Sequence, residues 1–80
     1  MENEDKLEIL NNQKKSINHD LVRLQYELDF LLNLTETENL PDFAQGDLEY
    51  NQALFALFQK KLDWYDLKIE ELTAIIENTN

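Results

Sequence analysis

The chain has 80 residues, with seventeen Asp and Glu against seven Lys and Arg, a formal net charge of -10, one Gly, one Pro and no Cys. Disulfide scaffolds, thiolate metal sites and cysteine nucleophiles are excluded, a phosphate-cradling loop cannot be built on one glycine, and the basic footprint of a nucleic-acid binder is missing. With 42% hydrophobic residues, the chain is also too apolar for a disordered acidic tail.

The first residues, Met1 to Lys6, are polar and acidic. They have neither the basic start nor the apolar stretch of a signal peptide. The longest apolar run, Ala53 to Phe58, is six residues, far short of the roughly 20 that cross a bilayer. The expected location is cytoplasmic.

Helix 1 is expected over about 4–38. Asn3 is its N-cap candidate, and Glu4, Asp5 and Glu8 put negative charge where the helix dipole favours it. Pro41 pushes Leu40 out of the α region and closes the helix. A turn over about 39–46 follows, holding both helix breakers, Pro41 and Gly46, with Leu40 and Phe43 folding back as a lid. Helix 2 is expected over about 47–78, with Asp47 as its N-cap and Gly46 letting the chain turn before it.

Apolar periodicity is the strongest pattern in the chain. Leu7, Leu10, Lys14, Ile17, Leu21, Leu24, Leu28 and Leu31 recur at alternating spacings of three and four, and so do Leu48, Asn51, Phe55, Phe58, Leu62, Tyr65, Ile69, Leu72 and Ile76. Both are heptad seams of the kind that pack at a shallow crossing angle. A turn centred on residue 43 makes facing residue numbers sum to 86. That register sets Leu31 against Phe55, Leu24 against Leu62 and Lys14 against Leu72. Lys14 is then a polar seam residue that sets register, reaching toward Glu70, Glu71 or a partner's acid.

The fold class is therefore all-α: one helical-hairpin domain over residues 1–80, an antiparallel two-helix hairpin with coiled-coil-like heptad packing. Two helices touching along one line leave each mostly wet. A four-helix bundle, formed by self-association or with a partner, is the expected remedy. Val22, Tyr26 and Phe30 form a second apolar row on helix 1, and Leu54, Leu57 and Trp64 one on helix 2, all in the half nearer the turn. Two-sided apolarity of this kind marks an interface.

No residue is assigned to catalysis, to a cofactor or to a metal. His19 is the single imidazole, and no Glu stands three residues before it as a di-iron bundle would need. Asp63, Asp66, Glu70 and Glu77 share a face of helix 2 among Lys60, Lys61 and Lys68, and read as a solvated, ion-paired surface. The expected function is a non-enzymatic protein–protein interaction module: an adaptor, co-chaperone or assembly subunit. Its partner is a second copy, most simply in a dimer, or a helical protein, with no direct nucleic acid, membrane or small-molecule substrate. The alternative is an acidic inhibitor, such as a phage encodes, or a nucleic-acid mimic blocking a basic cleft on a target protein.

Overall fold

The computed structural model describes residues 1–37 and 42–79. They form two helices, α1 (Asn3–Thr37) and α2 (Asp42–Thr79), packed along their length as an antiparallel hairpin about 60 Å long. Thirty-five and thirty-eight residues at roughly 1.5 Å rise each account for that length. Among the described residues no helix is long and apolar enough to cross a membrane.

The seams are where the spacing puts them. Every seam residue of α1 from Leu7 to Leu31, and of α2 from Leu48 to Ile76, is buried or half-buried. The buried ones are Ile17, Leu24, Leu28, Leu31 and Leu48, and Ala44, one turn before Leu48, is buried with them. Leu28, Leu31 and Leu48 make one cluster, with Phe55 packed against it. The core thus sits in the half nearer the connection. Towards the other end Leu7, Leu10, Ile69, Leu72 and Ile76 are only half-buried.

Two polar side chains, Asn51 in the seam and Thr35 one turn past Leu31, are satisfied locally. The Asn51 amide donates to the Asp47 carbonyl at 2.8 Å, and the Thr35 hydroxyl to the Leu31 carbonyl at 3.0 Å. Both are bonds back to the preceding turn, which lets a polar group sit at a helix–helix seam without an orphaned donor.

Three expectations are corrected. The N-cap of α1 falls one residue earlier than Asn3: the Glu2 carbonyl accepts the Lys6 N–H at 3.1 Å, the first bond of the helix. Next, α2 starts at Asp42, not near Asp47, and Gly46 lies inside it without a positive φ. A proline suits the start of a helix as well as the end of one, so the sequence before Asp42 gives no reason to delay α2 to Asp47. Carrying the helix through Gly46 costs about 1 kcal/mol. The burial of Ala44 and Leu48 that comes with it outweighs that.

The third correction follows from the second. The facing ends Thr37 and Asp42 sum to 79, one heptad below 86. A seven-residue slip keeps seam against seam, so periodicity alone cannot tell the two registers apart. Helix start decides it. Leu31 now stands level with Leu48 instead of Phe55, and Lys14 with Tyr65 instead of Leu72. The Lys14–Asp66 ion pair at 2.6 Å and the Leu31–Leu48 cluster both belong to this register. The expected lid lies outside the described residues at Leu40 and outside the described side chains at Phe43.

Gly46 gives a direct test of the helix start. A Cβ there meets nothing within 4 Å. Gly46→Ala is expected to raise stability by about 0.5–1 kcal/mol in urea unfolding, through helix propensity alone. No gain, or a loss, would instead mean that residue 46 sits in a turn.

Candidate interaction surface

Heptad lettering organises the rest of the surface. Take Leu7 of α1 and Leu48 of α2 as position a, so that Leu10 and Asn51 are position d. In an antiparallel pair the g and c positions of both helices lie on one flank, and the e and b positions on the other. Observed contacts agree. Lys14, at a, leans across to Asp66, at e. A groove on the opposite flank is lined by Lys6, Lys68 and Ile75 at g and by Ile9, Trp64 and Glu71 at c.

The two flanks differ in chemistry. Among the described residues the b and e positions carry ten acids: Glu4, Glu8, Asp29, Glu36, Asp42, Glu49, Asp63, Asp66, Glu70 and Glu77. One base, Lys15, shares that flank. The c and g positions carry five acids (Glu2, Asp20, Glu27, Asp47, Glu71) and four bases (Lys6, Arg23, Lys61, Lys68). One flank is thus strongly negative and the other close to neutral. The near-neutral flank also holds most of the exposed apolar side chains, including Tyr50, Leu57, Trp64 and Ile75.

Of the six residues expected to form an interface, Leu54 is half-buried. The other five are well exposed: Val22 at 58%, Tyr26 at 73%, Phe30 at 58%, Leu57 at 49% and Trp64 at 52%. The six do not share a face. Phe30, Leu54, Leu57 and Trp64 lie on the c/g flank. Tyr26, at f, is on the outer ridge of α1, and Val22, at b, is on the acidic flank. The reason is angular. A row at i, i+4, i+8 advances about 40° per step, so it walks across the back of the helix, whereas alternating threes and fours hold one line.

The c/g flank has three parts along its length. Near the connection stand Phe30, Tyr50, Leu54 and Leu57. The middle is charged, with Arg23 3.9 Å from Asp20. At the far end lies the groove, about 450 Å³, in which Leu10 and Leu72 form part of the lining with Ile9, Trp64 and Ile75. The Trp64 ring is held edge-on by Tyr65, with ring centroids 5.2 Å apart, and Lys68 stands over it at 5.4 Å. Lys68 also reaches Glu71 at 3.2 Å. The sequence reading missed this groove because it sought apolar rows near the turn. The signal was the c column itself: Tyr50, Leu57 and Trp64 recur every seventh residue.

Lys14 is half-exposed and paired with Asp66, not with Glu70 or Glu71. An exposed pair of this kind is worth under about 1 kcal/mol. His19 is exposed. Among the described residues no group of three or more His, Asp or Glu is placed to hold a metal ion.

Comparison with known protein families, with curated proteins and with solved structures finds no significant match to this chain.

Proposed function

We propose that the chain is a non-enzymatic interaction module, such as an adaptor, co-chaperone or assembly subunit, that works by burying its c/g flank against matching helices. One observation carries this reading. Phe30, Leu57 and Trp64 stay about half exposed or more after the two helices have packed. Large apolar side chains gathered on one flank mark a protein contact. The acidic b/e flank keeps the assembly in solution and repels nucleic acid and anionic membranes. A cytoplasmic location goes with the same reading, and the cysteine-free composition suits a reducing compartment.

A second reading has its own support. The ten acids to one base on the b/e flank form the one-sided negative surface that an inhibitor of a basic cleft needs.

Site-specific photo-crosslinking in the native host separates the two. A crosslinker at Leu57, on the apolar flank, is expected to yield protein adducts, and one at Asp63, on the acidic flank, is not. Adducts from position 63 alone, weakening steeply with salt, would transfer the assignment to the inhibitor. No adduct from either position would remove both readings.

A further inference from the structure

We infer that the occupant of the c/g flank is a second copy of this chain laid antiparallel to the first, an assignment that rests on the interaction-module reading. Area is the first argument. A compact monomer of 9.5 kDa exposes about 5,000 Å² by size scaling. This chain exposes 6093 Å². The excess of about 1,000 Å² is spread along a rod about 60 Å long, which leaves each flank long enough to supply the roughly 800 Å² per partner that a stable interface buries.

Charge decides which flank is covered. Two b/e flanks, each with ten acids and one base, repel at contact distance, inside the Debye length of about 8 Å. The c/g flank, with five acids and four bases, meets its own kind without that penalty. It is also the flank of Phe30, Leu57 and Trp64.

The distribution along the flank decides orientation. Turned about the midpoint of the helix pair, the second copy brings its Phe30 and Tyr50 level with the groove of the first, and its Leu54 level with Trp64. Side chains then fill the 450 Å³ groove. A parallel pair would set groove on groove and leave that space empty, forfeiting packing contacts on both sides. Antiparallel placement also sets Glu27 within a turn of the second copy's Lys68. The parallel one sets Glu27 on Glu27 and Lys61 on Lys61.

Sedimentation of the purified chain across a dilution series tests the association. A two-fold assembly is expected at micromolar concentration. Leu57→Glu is expected to weaken it about 100-fold or more, because a two-fold pair carries the change twice. Val22→Glu, on the other flank, is expected to leave it unchanged. Circular dichroism should show both variants helical, since both positions are exposed. A folded monomer at tens of micromolar would overturn self-association, while adducts at position 57 in the host would leave the module reading standing.

Orientation has its own readout. The chain lacks cysteine, so Gln13→Cys and Glu27→Cys variants each carry one thiol. Mixed under mild oxidation, they are expected to join to each other. Glu27→Cys joining to itself in preference would overturn the antiparallel arrangement.

Discussion

Replacing Leu24 by Ala is expected to lower the unfolding free energy by about 3 kcal/mol, read from urea titrations at fixed chain concentration. Leu24 is the most deeply buried residue of the core, at 2% exposure. Truncation removes the transfer free energy of the lost methyl groups and leaves a cavity, and buried Leu→Ala changes range over about 2–5 kcal/mol. A total stability of roughly 5–15 kcal/mol makes such a loss a large fraction of the whole. Fixed concentration matters because any association adds to apparent stability by mass action. Leu67→Ala, at an outer position and 49% exposed, is the matched control and should cost under about 1 kcal/mol. Equal effects at the two positions would mean that the seam is not the core.

The second large effect is expected at Ala44. Ala44→Asp should cost about 3 kcal/mol or more, measured in the same titrations. Ala44 is a buried d position of α2, one turn before Leu48 of the Leu28–Leu31–Leu48 cluster. A carboxylate forced in there loses its hydration without gaining a compensating hydrogen bond or cation. If residue 44 lay in a turn over 39–46, the same change would be close to neutral, as surface substitutions usually are. The measurement therefore reports the register as well as the burial, because Ala44 enters the seam only when α2 begins at Asp42.

These two positions mark the boundary between what could be read from the chain and what could not. Leu24 was legible. It belongs to a seam in which the same spacing holds from Leu7 to Leu31, and a repeat of that length leaves one face of the helix for the partner helix. Ala44 was not legible. A small residue between a proline and a glycine resembles turn material, and its burial depends on whether the helix runs through Gly46.

The interface candidates divide in the same way. Leu57 and Trp64 are a heptad apart, and their common flank follows from spacing alone. Val22, Tyr26 and Phe30 look like a row in sequence, but the helix carries them from one flank across its back to the other. The open groove beside Trp64 joins residues from opposite ends of the chain, Ile9 with Ile75, so it exists only once the hairpin has closed.

Periodicity determined the two helices and the seam residues from Leu7 to Leu31 and from Leu48 to Ile76, because a 3.5-residue repeat admits one buried line per helix, and the short break between the helices made their pairing antiparallel. It also held the segregation of acids to the b and e positions, which lettering the seams makes visible. The tertiary structure alone decided the register. A slip of seven residues maps each seam onto itself, so the hydrophobic pattern is blind to it. The choice falls to the helix start at Asp42 and to the Leu31–Leu48 and Lys14–Asp66 contacts that this start permits.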